Sequence, residues 1–455
     1  MAAANAGTRA LGTDGFAASA AYVETALRAA GWTVASDAFD APVFLDPGGS
    51  RLEVPSGHVF GPGDVAPLIY APAGQVTARV VVLGWDPRDT RPTGRGCNVG
   101  DYPPGSAGAI VAVRPGPCYR RDQVLAAQQA GAVGFIALNA AFGPGEVRRS
   151  TLIQPDGLRI PALAGTRDVG NALADIAAPV GGGGGGGTSS TSPGIGTADA
   201  SPTSSPAGSG SGSQALVTLV TRATTEVRPT RSILAELPGT EPERVVMLGA
   251  HLDSVLDGPG IDDNGSGVSA LLSFARAAAA ATRPKATLRL AFWAAEEVGL
   301  LGSGRYVANL DADQRHAIVA YLNADMLGSP NGFPGVYAEP DAPPGSTTLT
   351  AELQGALATF GSPNVTVDMA GGSDHAPFMR AGVPVGGLFS GALEPVTGEQ
   401  STASGSSPGR PADPCYHLAC DGAANVDVDR VTTLARALGV VALELADDPG
   451  RLDGR

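Results

Sequence analysis

Positive charge is scarce in this chain: 30 lysines and arginines stand against 44 acidic residues, a formal net charge of −14. A surface this short of cations has no surplus to offer phosphates, so nucleic acid is not an expected partner. Charge of either sign is sparse, at 16 % of residues. Long apolar runs are also missing. The longest candidate, residues 268–281, is interrupted by Arg276 and falls short of the roughly 18 residues that a bilayer demands, so no membrane partner is expected. The stretch before Arg9 lacks the apolar centre of a signal peptide. Glycine and proline are abundant instead, 64 and 37 of them, but without the three-residue period of collagen. Hydrophobic residues make up 43 % of the 455. That is ample for a buried core, it excludes wholesale disorder, and the length suits two domains.

Cysteines number only four, in two local pairs, Cys97/Cys118 and Cys415/Cys420. The spacing favours two short-loop disulfides in a secreted protein whose signal peptide is absent from this chain, over four buried thiols. No C-x-x-C is present, so a thiolate zinc site is not expected. Residues 180–213 hold seven consecutive glycines followed by Ser, Thr and Pro, and read as a flexible linker; residues 398–413 read as a second, shorter surface insertion. Before the linker, a helix is predicted over 17–30, closed by Gly31, then an extended run at 32–39. Strand-like runs follow at 79–83, 109–113, 132–138 and 160–163, with a helix at 122–130. After residue 213 apolar strands at 244–248, 286–292, 318–322 and 383–388 alternate with helices at 265–281, 299–310, 347–360 and 429–445. Continuous apolar strands joined by helices imply an α/β fold, a mostly parallel sheet covered on both faces. Working residues in such sheets sit at the carboxyl ends of the strands.

Those ends are occupied. The first strand runs into Gly-Ala-His251-Leu-Asp253, the second into Trp-Ala-Ala-Glu296-Glu297, the third into Asn-Ala-Asp325-Met326. Gly-Ile-Asp-Asp263-Asn-Gly lies between the first two, and Cys415-Tyr416-His417-Leu-Ala-Cys420 near the end. Two imidazoles and several carboxylates suit a pair of zinc ions, which remove the repulsion the carboxylates would otherwise suffer. Two ions ~3.5–4 Å apart polarise a carbonyl and acidify a bridging water. In Glu296-Glu297, one carboxylate can ligate while its neighbour acts as general base.

The runs GAHLDSV, GPGIDDNGSG, AFWAAEEVGLLGS, YLNADMLGSPN, SDHAPF and CYHLACD, in this order, resemble the secreted dinuclear zinc aminopeptidases of the aminopeptidase Y and leucine aminopeptidase type. The likeness spans residue 228 to the C-terminus. AGAIVAVRPGPCYRRDQVLAAQQAGAVGFIALN is similar to the protease-associated domain often inserted in that family. The resemblance implies a zinc-peptidase-like mixed, mostly parallel sheet, with residues 1–55 and 215–455 forming the catalytic domain and 56–214 a smaller α/β insert at the rim of the cleft. It implies two zinc ions: His251 and Asp325 on one, Glu297 and His417 on the other, Asp263 bridging. Glu296 would be the general base, Tyr416 a hydrogen-bond donor to the tetrahedral oxyanion, and Asp253 would orient His251 from behind. A cis peptide is expected after Asp263. Met326 and Phe389 match positions lining an apolar pocket, which implies Leu, Phe or Met at the substrate's free N-terminus. The expected activity is hydrolysis of N-terminal residues from peptides through a metal-bridging hydroxide, by a monomer. A glutaminyl cyclase-like transferase or a non-catalytic peptide-binding protein are the alternatives; the full ligand set and the intact Glu296 argue against each.

Other residues read more plainly. The family pattern makes Asp374 and His375 structural, and His58 and His316 are expected on the surface. Gly265 and Gly267 suit a tight turn beneath a helix, since no Lys-Ser/Thr follows them. The Asn264-Gly-Ser266 sequon is discounted, because a glycan there would block the cleft. Ser254 lacks the setting of a triad nucleophile. Relatives carry Arg just before the Ser-Asp-His run, where this chain has Gly372. A carboxypeptidase would need Arg or Lys to receive a carboxylate, and residues 362–421 offer only Arg380 and Arg410.

Overall fold

The computed structural model describes residues 4, 7–89, 95–141, 143–177 and 215–452; the expected linker at 180–213 lies outside the described residues. The chain divides into two units, residues 1–45 with 225–455, and residues 46–224.

Elements of the first unit are numbered in chain order. Helix α1 (Asp14–Ala29) starts where Thr13 Oγ1 accepts the Phe16 N–H, and buries Val23 and Leu27. It leads into β1 (Thr33–Leu45). Then come β2 (Thr224–Leu237), β3 (Glu241–His251), α2 (Gly267–Ala280), β4 (Ala286–Trp293), α3 (Leu301–Asn309), α4 (Ala312–Ala317) and β5 (Ile318–Ala324). They are followed by β6 (Gly335–Tyr337), α5 (Ser346–Thr359), β7 (Val365–Val367), α6 (His375–Arg380), β8 (Val385–Phe389), α7 (Gly398–Ser404) and α8 (Val428–Asp447). The sheet order is β1-β2-β4-β3-β5-β8-β6-β7. Strands β4, β3, β5 and β8 are mutually parallel. Towards the edges, β2 runs antiparallel to β4, and β6 to β8. The expected mixed, mostly parallel sheet is present.

The central strands are central because both faces are apolar. All of β5 is buried, as is β3 from Val245 onward. Alternate residues serve opposite layers. Met247, Trp293 and Tyr321 pack with Tyr306 of α3 and Phe378 of α6, and Tyr321 stacks on Phe378 with ring centroids 3.9 Å apart. Helices α2, α5 and α8 pack together against the sheet. From β3 the chain crosses first to β4 on one side and then to β5 on the other, so the carboxyl end of β3 is a topological switch point.

Two expectations are corrected. Residues 398–413 are no structureless insertion. Helix α7 forms there because Thr397 Oγ1 accepts the Gln400 N–H while Gln400 Oε1 accepts the Thr397 N–H, a reciprocal cap that outweighs a Ser- and Gly-rich composition. Asp413, at the end of that stretch, is fully buried. The second correction is β2, a 14-residue strand that reads as polar because its first half is largely exposed.

The second unit has its own sheet. Its strands Gly74–Leu83, Ile110–Val113, Gly134–Leu138 and Ala162–Gly165 are parallel, around a core that includes Ile110, Ile136, Leu163 and Leu219. Cys97 is bonded to Cys118. The unit extends past 56–214 because Arg51–Glu53 pairs antiparallel with Leu216–Thr221.

Gly249, two residues before His251, marks the tightest point of the first sheet. A Cβ there would lie 1.9 Å from Tyr321 Oη and 2.7 Å from Trp293 Nε1. Gly249→Ala is expected to destabilise the protein by about 1–3 kcal/mol, as overpacking does, read as a lowered midpoint in thermal unfolding.

Candidate metal centre

Each of the expected site residues except Tyr416 and His417 sits at or just beyond the carboxyl end of a sheet strand or in the turn that follows. His251 closes β3, Glu296 and Glu297 follow β4, Asp325 and Met326 follow β5, and Phe389 closes β8. Asp263 lies in the turn 261–266 before α2, and the Asp263–Asn264 peptide is cis, as the resemblance implies. Tyr416 and His417 lie in the short loop closed by the Cys415–Cys420 disulfide. Helix α2 starts two residues later than expected, at Gly267, because Asn264 Oδ1 accepts the Gly267 N–H at 2.9 Å. Gly267 is required there: a Cβ would meet Ala324 O at 2.2 Å. Asn264 is fully buried and its Nδ2 donates to Ala324 O at 2.8 Å, so it is no glycan acceptor.

The donors converge around Asp263. Its Oδ1 is 3.1 Å from His251 Nε2, and its Oδ2 is 3.1 Å from His417 Nε2. Asp325 Oδ1 is 3.3 Å from His251 Nε2, and Glu297 Oε2 is 3.1 Å from His417 Nε2. Two donors ~2.0–2.1 Å from one tetrahedral ion lie roughly 3.3 Å apart, which matches these separations. His251, Asp263 and Asp325 can converge on one ion, and Asp263, Glu297 and His417 on another; His251, Glu296 and Glu297 form a third converging group that overlaps both. Glu297 Oε1, Asp325 Oδ1 and His417 Nε2 are buried without an aligned hydrogen-bond partner. Buried polar atoms are rarely left so, and their chemistry fits a divalent cation. Glu296, Met326, Phe389 and Tyr416 line the same cavity, of about 210 Å³.

The protonation of this cluster follows from its burial and its crowding of carboxylates. Burial raises the Glu296 carboxyl well above its ordinary range; His251 opposes this and Glu297, Asp374 and Asp325 add to it. Burial and Asp263 push Glu297 up to about 7. Burial disfavours charge on His417, yet Glu297 and Asp263 outweigh it and take the imidazole up to about 10. Protons are retained where a cation would otherwise balance the carboxylates. Tyr416, raised well above its ordinary value by burial and by Asp263 and Glu297, stays a donor. Its ring stacks on His417 with centroids 3.8 Å apart.

The supporting contacts differ in part from the sequence reading. Asp253 does meet His251 Nδ1, but through its main-chain carbonyl at 3.1 Å. Its carboxylate instead accepts the N–H groups of Glu296 at 3.1 Å and Glu297 at 3.3 Å, fixing both glutamates' backbone. Asp325 is held by a buried relay. Trp293 Nε1 donates to Tyr321 Oη at 2.8 Å, and Tyr321 to Asn323 Oδ1 at 2.9 Å. Asn323 Nδ2 donates to Ser373 Oγ at 2.8 Å, and Ser373 to Asp325 Oδ2 at 2.6 Å. Asp374 and His375 are not among the converging donors: Asp374 accepts from Ser303, and His375 Nε2 lies 3.1 Å from Glu339 Oε1. His58 and His316 are exposed.

Sequence reasoning missed Arg9 and Asp421. Arg9 is buried and donates to the carbonyls of Leu252, Pro259 and Gly260, in the loop between His251 and Asp263. Asp421 accepts the N–H groups of Asp262 at 2.8 Å and Asp263 at 3.1 Å. Neither had a local signal, since the partners are about 160 and about 250 residues away.

A chain whose strand ends deliver these donors, in this order, belongs to peptidase family M28. That family's model matches residues 232–442, a span holding all the converging histidines and carboxylates, and the PA domain model matches residues 76–173. The likeness read from the motifs is borne out in both parts. An aminopeptidase of Pseudomonas aeruginosa is 33 % identical over 452 residues, 97 % of this chain and 77 % of that one. The probable lipoprotein aminopeptidase LpqL of Mycobacterium tuberculosis is 33 % identical over 466 residues, 98 % of this chain and 83 % of that one. The fold is shared with a solved aminopeptidase from Aneurinibacillus sp. strain AM-1, at a TM-score of 0.70 and 21 % identity, covering 98 % of this chain and 92 % of that one.

Two outcomes follow from the electrostatics. Glu297 and His417 both bind protons more tightly folded than unfolded, so the metal-free protein holds their full stabilisation at acid pH. It loses that stabilisation as pH rises from about 4.5 through about 7 and on to about 10. Its melting temperature is expected to fall between pH 6 and pH 9, and to fall less once metal is bound; scanning calorimetry at both pH values checks this. Arg9→Met leaves three main-chain acceptors of the His251–Asp263 loop without their donor, at about 1–3 kcal/mol for each acceptor that stays buried. It is expected to lower both the melting point and the metal affinity, with Arg9→Lys restoring only part of each in a calorimetric metal titration.

Proposed function

We propose that this M28 peptidase is an aminopeptidase working with two zinc ions, one on His251 and Asp325, one on Glu297 and His417, with Asp263 shared. The observation that carries the reading is the placing of one buried carboxylate between two imidazoles, with each oxygen 3.1 Å from a different Nε2. When bound, such a pair polarises a peptide carbonyl and acidifies water.

The chain's own groups do the rest. Glu296 shares the cavity but is not one of the carboxylates paired with an imidazole. It accepts the proton of the attacking water and returns it to the leaving amine, work for which a raised carboxyl pKa is suited. Tyr416 donates to the oxygen on which negative charge develops. Met326 and Phe389 form the wall against which the first side chain packs. The substrate's α-amine is received among carboxylates. Among the described residues no Arg or Lys lines the cavity to receive a terminal carboxylate, which supports amino- over carboxypeptidase action. The expected Arg candidates lie elsewhere: Arg380 lines a different depression, and Arg410 is exposed. The two disulfides suit a secreted enzyme acting as a monomer on peptides.

Hydrolysis of leucine 4-nitroanilide is expected to vanish on chelation and return with zinc, at about two ions per chain by elemental analysis. Glu296→Gln is expected to lower kcat about 10²–10⁴-fold with metal content unchanged. Activity indifferent to chelator, or a Glu296→Gln enzyme of normal kcat, would overturn the reading.

A further inference from the structure

Resting on the two-zinc reading, we propose that Tyr321 is a positioning residue for the metal centre. Its hydroxyl fixes which way the Asn323 amide faces, commits the Ser373 proton to Asp325, and so holds the affinity for the ion on His251 and Asp325. Tyr321 is not among the converging donors and does not line the cavity. The two-residue period of a strand puts 321, 323 and 325 on one side of β5, so a contact made at Tyr321 can be handed along that side to the strand's carboxyl end. Trp293 ends β4, which is separated from β5 by β3. Its indole reaches across because Gly249 of β3, paired with Asn323, has no side chain. A Cβ at Gly249 would lie 1.9 Å from Tyr321 Oη and 2.7 Å from Trp293 Nε1.

The direction of the relay follows from what each group can do. An indole N–H donates and cannot accept. Trp293 Nε1 therefore fills a lone pair of Tyr321 Oη and cannot take the tyrosine's proton, which goes to Asn323 Oδ1 at 2.9 Å. That turns Asn323 Nδ2 towards Ser373 Oγ at 2.8 Å and Tyr337 Oη at 3.1 Å. Ser373, already an acceptor, gives its one proton to Asp325 Oδ2 at 2.6 Å. With the amide reversed, Oδ1 would face Ser373 and Tyr337, two hydroxyls able to donate to it, and the Ser373 proton would be drawn away from Asp325. Tyr321 excludes that orientation. It would then meet two donors, Trp293 Nε1 and Asn323 Nδ2, and its own proton would lose its acceptor. Trp293, Tyr321, Asn323 and Ser373 are each at most 1 % exposed, and a proton orphaned at such depth is costly. Without the hydroxyl that cost disappears and the amide is free to reverse. Asp325 Oδ2 then loses its donor, and Oδ1 is no longer held towards the ion.

The test titrates zinc into the metal-free full chain against a competing chromophoric chelator, which resolves the two binding steps. In Tyr321→Phe one step is expected to weaken about 10–100-fold and the other to hold. Ser373→Ala deletes the final contact of the relay and is expected to do the same. The double variant is expected to bind no more weakly than Ser373→Ala alone, because both changes act through one hydrogen bond. Asn323→Ala cuts the relay one step further on and spares the stack of Tyr321 on Phe378; it is expected to match Tyr321→Phe, and takes its place in the cycle if that variant does not fold. Trp293→Phe breaks the Trp293–Tyr321 bond but leaves Tyr321 donating to Asn323, so it is expected to lower the melting temperature with both zinc affinities unchanged. Tyr321→Phe with unchanged affinities, equal weakening of both steps, losses that add in the double variant, or a Trp293→Phe loss as large as that of Tyr321→Phe would each overturn the proposal and leave the two-zinc reading intact. A wild-type chain that binds fewer than two zinc ions overturns both.

Discussion

One buried carboxylate shared by two imidazoles sets the terms for the rest of this structure. Asp263 is held well below the ordinary carboxylate range: burial alone would raise it, and His251 and His417 overcome that. The carboxylates around it have the opposite difficulty: burial raises Glu296, Glu297 and Asp374, and neighbouring carboxylates add to it, Glu297 and Asp374 at Glu296, Asp263 at Glu297, Asp325 and Asp253 at Asp374. Bringing so much like charge into one cavity is tolerable only if cations or protons are held there and every nearby backbone group is satisfied. A parallel sheet with a switch point supplies the means. The carboxyl ends of β3, β4 and β5 lie side by side, so His251, Glu297 and Asp325 approach one another; the register shifts in these pairings fall at the other end, up to Val246.

Precision is then supplied from behind. Asp253 holds two consecutive N–H groups at Glu296 and Glu297, and Asp421 holds two at Asp262 and Asp263. Each therefore fixes a carboxylate residue through its backbone rather than through its side-chain oxygens. Asp325 is the exception, fixed through its side chain, but only on Oδ2; the relay from Trp293 through Ser373 leaves Oδ1 turned to His251. Donors running one way along such a chain polarise each other towards its terminal carboxylate. Arg9 adds a guanidinium to this layer. It grips three carbonyls of the His251–Asp263 loop and brings a positive charge near Asp263, Asp253 and Asp421.

Much of this was legible in the sequence, for a physical reason. Strands buried on both faces must be apolar throughout, so a histidine or carboxylate directly after one stands out, and His251, Glu296, Glu297 and Asp325 all do. The helices on the sheet were legible from their periodicity, with ends displaced by one to three residues. What escaped had no local pattern. Strand β2 is half exposed, with Arg228 and Arg231 among its residues, and β6 and β7 are three residues each. Helix α7 depends on a two-residue cap that composition hides. Arg9 and Asp421 matter through partners far along the chain; Asp413 accepts from Asn425 and shares a buried acidic layer with Asp262 and Asp421, a setting no local pattern announces.

The Ser-Asp-His run shows why a motif of metal-ligating residue types need not ligate. Ser373 serves Asp325, Asp374 serves Ser303 on α3, and His375 serves Glu339 beyond β6. Three consecutive side chains therefore tie the loop before α6 to a carboxylate of the cluster, to a helix and to the segment after β6. A histidine fully buried against a glutamate, with its ring edge-on to Tyr337 at 4.8 Å, is committed to that glutamate through Nε2 and lies outside the converging donors. The same three anchors explain how Gly372 is accommodated. The loop's path is set on its buried side by Ser373, Asp374 and His375, so the residue facing the cleft contributes to what the cleft recognises and little to where the loop lies.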